Sequence, residues 1–231
     1  ITKNLLKSHN YQEALNVFLD LADKGDRTFQ HNAGVLYQCI DEVRDYQSAL
    51  ACYKKAVAQD FAPAKERLGS MYEFGDGGLP VDLSAAIKLY RESSDQGNLH
   101  STYNLGMILA TGSNCSEKNV ALALPLLLEA AKKGHALMKF NLGVTYLEDC
   151  KNSQAANHWF KLAFEQDPFV AVDLGHFYLN RYNTQQSEKS SALSHYWFAT
   201  AVAYGYQDHV LDIFNGDQAV LNSFKVQGHF H

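Results

Sequence analysis

Residues 103–109 read YNLGMIL and residues 140–146 read FNLGVTY. The triplet Asn-Leu-Gly returns after 37 residues, each time inside an apolar pattern of helical period. Glycine within a helix costs about 1 kcal/mol relative to alanine, so its return calls for a packing reason. Taken as a marker, it recurs at Gly34, Gly69, Gly106, Gly143 and Gly175, in steps of 35, 37, 37 and 32. Three residues after it stand Tyr37, Tyr72, Leu109, Tyr146 and Tyr178.

A second column runs Gly25, Asp60, Gly97, Gly134, Asp167 and Gly205. Seven residues before each of these lies a bulky side chain: Phe18, Tyr53, Tyr90, Leu127, Phe160, Phe198. Four before lies Leu21, Ala56, Ser93, Ala130, Ala163 or Ala201. Each unit therefore reads as two helices, A carrying Leu-Gly-x-x-Tyr and B carrying the bulky residue and the small one. Glycine or aspartate is expected to end B in a left-handed cap. Asp167-Pro168 predicts that the next helix starts at once, with Asp167 as N-cap and Pro168 at the first helical position. Five mid-helix glycines make sense only where another backbone must approach closely, so the glycine is read as the contact point between A and B.

The columns resemble the Sel-one-like repeat family, a branch of the tetratricopeptide superfamily. The best unit, residues 64–99, reads AKERLGSMYEFGDGGLPVDLSAAIKLYRESSDQGNL, with Leu-Gly-x-Met-Tyr, a glycine loop, an aspartate before helix B and a closing Gln-Gly. The resemblance covers about residues 10–214 and implies an all-α fold: a right-handed α-α superhelix, or solenoid, of about six antiparallel helix pairs. The expected division is one solenoid over 1–231, with units at 1–26 (partial), 27–61, 62–98, 99–135, 136–168 and 169–206, and a C-terminal cap and tail at 207–231. Three departures stand out. Only the third unit keeps the glycine loop (Gly75, Gly77, Gly78), the unit at 138–167 is short, and Pro125 inside a helix B is expected to kink it.

Composition narrows the function. Formal charge is −5, from 20 basic and 25 acidic residues, and no basic run exceeds two residues, which argues against a nucleic-acid surface. No apolar stretch reaches the roughly 18 residues needed to cross a bilayer, so an integral membrane protein is not expected. The chain opens on Ile1 without a secretory signal, and reads as a fragment of a longer protein. Cys39, Cys52, Cys115 and Cys150 lack metal-ligand spacing and read as free thiols, which favours a reducing intracellular compartment. The sequon Asn114-Cys115-Ser116 carries little weight against that, and a secreted or host-delivered bacterial protein stays open.

No nucleophile, metal-protease, P-loop or dinucleotide motif occurs. The GDGGLP stretch at 75–80 follows a helix and reads as a repeat loop. His229 and His231 lie near the end, and His100, His135, His158, His176, His195 and His209 fall in scattered units, so solvated or partner-facing histidines are expected and no metal or cofactor. Glu129 with Lys132 and Lys133 reads as a solvated face.

The resemblance implies that A helices line the concave face. The seat two before the glycine then holds Asn32, Arg67, Asn104, Asn141 or Asp173, and the seat three before it His31, Glu66, Tyr103, Phe140 or Val172. One after it come Val35, Ser70, Met107, Val144 and His176; four after it come Gln38, Glu73, Ala110, Leu147 and Leu179. The candidate partner-binding groove is Asn104, Asn141, Tyr103, Phe140, Met107, Val144 and Leu147, edged by His100 and His176. An amide offers both donor and acceptor to a bound backbone, and the aromatic lining suits a hydrophobic peptide or an amphipathic helix. A terminal-carboxylate clamp is not expected without neighbouring lysine and arginine. The expected function is a non-enzymatic adaptor that binds another protein, as a scaffold in stress signalling or quality control or as a bacterial host-interaction or effector-regulating protein; self-association is a further mode. The alternative is the recruiting arm of an enzyme whose catalytic domain lies outside the chain.

Overall fold

The computed structural model of the chain describes residues 10–112 and 118–227, so Cys115, the sequon and His229 and His231 lie outside the described residues. Among the described residues there are thirteen α-helices, two short 3-10 turns and no strand. The helices are α1 (Tyr11–Asp23), α2 (Arg27–Cys39), α3 (Tyr46–Val57), α4 (Ala62–Phe74), α5 (Leu83–Ser94), α6 (Leu99–Thr111) and α7 (Val120–Lys133). They continue as α8 (Ala136–Glu148), α9 (Ser153–Gln166), α10 (Val170–Gln185), α11 (Glu188–Ala203), α12 (Gln207–Ile213) and α13 (Gln218–Gln227). The chain forms two compact units, Ile1–Ala130 and Ala131–His231.

Helix starts follow the sequence closely. Asn10, Asp45, Asp82, Asn119 and Asn152 each stand eight residues before the bulky residue of a B helix. Their side chains accept backbone N–H groups at 3.3, 3.0, 2.9, 3.1 and 3.0 Å, satisfying donors that the first helical turn leaves orphaned. The same caps hold the A–B loops. The backbone N–H of Asp45, Asp82, Asn119 and Asn152 donates to the carbonyl of Tyr37, Tyr72, Leu109 and Tyr146 at 2.9, 2.9, 2.7 and 2.9 Å. Loop length thus varies between two fixed points, which is why the glycine steps differ while the helix register does not.

The glycine column is the A–B contact expected, but what comes close is a side chain of helix B and not its backbone. All five glycines are buried, and a Cβ built on Gly34, Gly69, Gly106, Gly143 or Gly175 would stand 2.6, 2.9, 2.9, 2.5 or 2.5 Å from a side-chain atom of Tyr53, Tyr90, Leu127, Phe160 or Phe198. Carbon atoms in contact keep about 3.5–4.0 Å apart. Helix A therefore lacks a side chain where helix B inserts its bulkiest one. Those five residues are 0–2 % exposed, and the small column beside them (Ala56, Ser93, Ala130, Ala163, Ala201) is fully buried.

In the first unit the core is a series of local clusters. Ala14, Leu15, Phe18, Ala33 and Leu36 form one; Ala49, Leu50, Tyr53, Leu68 and Met71 the next; Ala86, Tyr90, Leu105 and Ile108 a third. Each repeat touches its neighbours, as in other repeat architectures. In the second unit Ala156, Phe160, Leu174 and Tyr178 form one cluster, and Phe198, Val210, Leu221 and Phe224 another, the latter brought in by α12 and α13.

Polar side chains stitch consecutive repeats. Gln30 Nε2 donates to the Ala22 carbonyl at 3.1 Å and Gln59 Nε2 to Gln30 Oε1 at 2.8 Å. Lys65, whose side chain is 6 % exposed, pairs with Asp60 and, at 2.9 Å, with Glu92, while Gln96 Nε2 donates to Asp60 at 3.0 Å. In the second unit Lys139 Nζ donates to the Gly134 carbonyl at 3.0 Å and also bonds Gln166. Gln96 thus reaches back to the preceding repeat directly, and Gln59 does so through Gln30, which bonds Ala22.

Two expectations about helix ends are corrected. Gly25, Asp60, Gly97 and Gly205 close B helices at positive φ, but Gly134 and Asp167 do not; Asp167 is extended at φ −145°. Helix α10 does not start at Pro168. Asp167 Oδ1 instead accepts the Phe169 N–H at 3.0 Å in a local turn, and the helix begins at Val170. Pro125 is exposed and α7 runs through it. The GDGGLP stretch is a loop as expected. Gly77 sits at φ +70°, and its carbonyl accepts from Gln47 of the preceding B helix, a backbone placement that a side chain would strain.

Candidate functional site

In the first unit the candidate residues sit on α6. His100 is exposed, while Tyr103, Asn104 and Met107 are half-buried. The preceding A helices carry the matching seats. Asn32 and Arg67 are half-buried two residues before their glycines. Asn32 and Asn104 make no side-chain hydrogen bond among the described residues. Neither amide is needed by the packing that the adjacent Ala33-Gly34 and Leu105-Gly106 pairs perform.

Around these seats lies a polar cluster that sequence reading had distributed without joining. Arg67 Nε stands 3.4 Å from Glu66 Oε2. Burial raises the Glu66 carboxyl above the usual range, opposed by the charges of Arg67 and His100. His31 lies against Tyr53 and Phe61, with ring centroids 5.8 and 5.6 Å away, and its Nδ1 is buried without a hydrogen-bond partner. Burial, with Arg67 adding, lowers its pKa to about 4. His31 is therefore a neutral, packed side chain, not a solvated one.

The position four after the glycine has a role that the groove reading missed. Tyr53 Oη donates to Gln38 Oε1 at 2.8 Å, and Tyr90 Oη to Glu73 Oε2 at 2.7 Å. Burial pushes both phenols well above their usual pKa, with Glu73 adding at Tyr90. Where the bulky column holds leucine or phenylalanine, the same seat holds Ala110, Leu147 or Leu179. A buried hydroxyl must be satisfied, so the acceptor appears only where tyrosine does. That pairing is visible in the sequence once the two columns are set beside each other.

In the second unit the candidates are Phe140, Asn141, Val144 and Leu147 on α8, and His176 on α10. Phe140 packs against Phe160 and edge-on against Phe177 of α10, at 5.8 and 6.2 Å between centroids. Val144 and Leu147 lie half-buried on the same core cluster. His176 is exposed and Asn141 half-buried. Asp173 is half-buried, its carboxyl raised by burial and by Asp167 and opposed by His176. Among the described residues no group of three or more His, Cys, Asp or Glu side chains is placed to hold a metal ion, and no helix is long and apolar enough to cross a membrane.

Paired helices, a contact between glycine and a bulky side chain repeated five times and a variable polar seat beside each glycine define an α-helical repeat protein of the solenoid class. The sequence model of the Sel1 repeat matches residues 40–61, 62–98, 99–135 and 139–168. These matches span more than half of the chain, which belongs to the Sel1 repeat family. Solved structures share the fold. A Sel1 repeat protein from Oxalobacter formigenes superposes with a TM-score of 0.71 at 21% identity, over 98% of this chain and 97% of that one. A protective antigen of uropathogenic Escherichia coli with an SLR fold gives 0.67 at 22% identity, over 93% of this chain and 48% of that one. A Sel1 repeat protein from Klebsiella pneumoniae subsp. pneumoniae gives 0.62 at 19%, over 88% and 99%. Sel1 repeat folds are commonly protein-interaction modules and typically non-enzymatic.

Proposed function

We propose that this chain is an adaptor that holds a peptide or amphipathic helix of a partner protein against the A-helix face of its repeats. In the first unit Asn32, Arg67 and Asn104 would bond the partner, with Tyr103, Met107 and His100 beside them. In the second unit the corresponding face is Phe140, Asn141, Val144, Leu147 and His176. The observation that carries the reading is the pair of half-buried, unengaged amides at Asn32 and Asn104, at seats that packing leaves free to vary. An amide held on a rigid helix with its donor and acceptor unused is suited to an extended backbone.

The test is affinity purification of the full-length protein from its source cells, compared with the Asn32→Ala/Asn104→Ala variant. A partner captured by the wild type and lost from the variant, at unchanged melting temperature, supports the reading. Equal capture by both, with equal affinity in a purified binding assay, refutes it.

A further inference from the structure

Helix α11 departs from the B helices α5 and α9 on its outer side. Counted from the buried Phe198, the positions −2, +1, +5 and +6 are Tyr196, Ala199, Ala203 and Tyr204. The same positions counted from Tyr90 in α5 are Lys88, Arg91, Asp95 and Gln96, and from Phe160 in α9 they are His158, Lys161, Glu165 and Gln166. A face that carries charge and polar groups in α5 and α9 has become aromatic and small in α11. Tyr196 and Tyr204 are each 56% exposed, and even the stitching glutamine is replaced, by Tyr204 resting on Phe164 at 5.2 Å. Together with Tyr182 from the end of α10, these rings wall a groove of about 720 Å³, with Ala199 and Ala203 in its floor.

The groove also has a sign. Glu188 is the one Asp, Glu, Lys or Arg among its lining residues, and it makes no hydrogen bond or ion pair among the described residues. Tyr182 lies in the last turn of α10, which has no basic residue to offset the partial negative charge of its carbonyls. Glu188 is the first residue of α11, so part of its charge answers that helix's N-terminus; a cation placed there meets the rest of that carboxylate together with the tyrosine faces, and both attract it. The alanine floor lets another backbone come near, and sixteen residues of α11 run about 24 Å, some four helical turns.

We propose that this groove, separate from the A-helix face, docks an amphipathic helix of a partner protein, its apolar side between the tyrosines and a lysine or arginine at the Glu188 end. The probe is a displayed library of random peptides of about 16 residues, panned on the full chain. Enriched peptides should carry apolar residues at i, i+3 or i+4 and i+7 together with a basic residue. Their affinity should fall about tenfold in Glu188→Lys, as for inversion of a charge at an interface, and be lost in Ala203→Arg. Both residues are exposed, so circular dichroism should match the wild type; the melting temperature should match in Ala203→Arg and fall only slightly in Glu188→Lys, which takes the acid from the first turn of α11. The Asn32→Ala/Asn104→Ala variant should bind these peptides normally, which keeps this site distinct from the adaptor reading. No enrichment, enrichment of peptides without a basic residue, or full binding by both charge variants would overturn the proposal. So would sedimentation showing a wild-type dimer that Ala203→Arg makes monomeric, since the face would then serve a second copy.

Discussion

Gly143→Ala adds a single carbon to α8, and the structure says where it would go. The new Cβ would lie 2.5 and 2.6 Å from Phe160 Cε1 and Cδ1, and 3.2 Å from the Ala156 carbonyl oxygen. Relief requires the ring to move by about 1 Å, judged against ordinary carbon contacts. Phe160 is 2% exposed and hemmed in by the rings of Phe140, Phe177 and Tyr178. Overpacking of this kind costs about 1–3 kcal/mol, and the confinement places it near 3. Alanine recovers about 1 kcal/mol of helix propensity. The net expectation is a loss of about 2 kcal/mol, which for a chain of this size is a fall in Tm of about 4–8 °C. Thermal and urea melts followed by circular dichroism measure it directly. Gly106→Ala is the internal control, because its nearest neighbour is the more adaptable Leu127 at 2.9 Å, and it should lose less than about 1 kcal/mol. The double variant Gly143→Ala/Phe160→Leu, which copies that pairing, should be more stable than the sum of its single changes predicts. An unchanged or raised Tm for Gly143→Ala would refute the close-contact reasoning, and strict additivity would refute its assignment to the Phe160 ring.

Other perturbations test the polar parts of the repeat. His31 is held neutral with a pKa of about 4, against 6.5 when unfolded, so the unfolded chain binds the extra proton first as pH falls. Stability from His31 is therefore complete above pH 6.5 and lost between 6.5 and about 4; Tm against pH should flatten over that window in His31→Leu, and an unchanged slope would count against it. Lys65→Met removes the buried ammonium from Asp60 and Glu92. Those carboxylates keep contact with water, so the loss should be about 1–2 kcal/mol in a urea melt, and a neutral result would mean that the stitch contributes nothing. Tyr90→Phe leaves Glu73 without its phenol and should lose about 1 kcal/mol by the same assay, whereas Phe160→Tyr, facing Leu147, should be destabilised by its unmet hydroxyl.

Much of this was legible without coordinates because a repeat states its packing rule several times over. Five glycines in register with five bulky residues can be read as contacts before any distance is known. Of the B-helix caps, only the aspartate before helix B in the unit at 64–99 is read from the sequence; Asn10, Asp45, Asn119 and Asn152 share its offset, which is the signal that finds them. The partner-facing set was less so. Phe140, Val144 and Leu147 share a periodicity with Met107, yet all three rest on a core cluster. One-sided periodicity marks a face of a helix without telling whether the next helix covers it.

The amino-acid sequence by itself determined the repeat, its helix pairs, the glycine contact and the absence of a familiar catalytic motif, because these depend on spacing along one chain. Tertiary structure decided what each polar side chain meets. It turned Gln38 and Glu73 into acceptors for buried phenols, joined His31 to Tyr53 and Arg67, made Lys65 a stitch between repeats, and left the outer side of α11 aromatic and open. Those outcomes depend on distances between residues about 15 to 40 positions apart, set by how helices lie on one another. Asn-Leu-Gly holds both kinds of information: Leu105 and Gly106 are explained by the repeat, while Asn104 takes its meaning from what the fold leaves unengaged beside it.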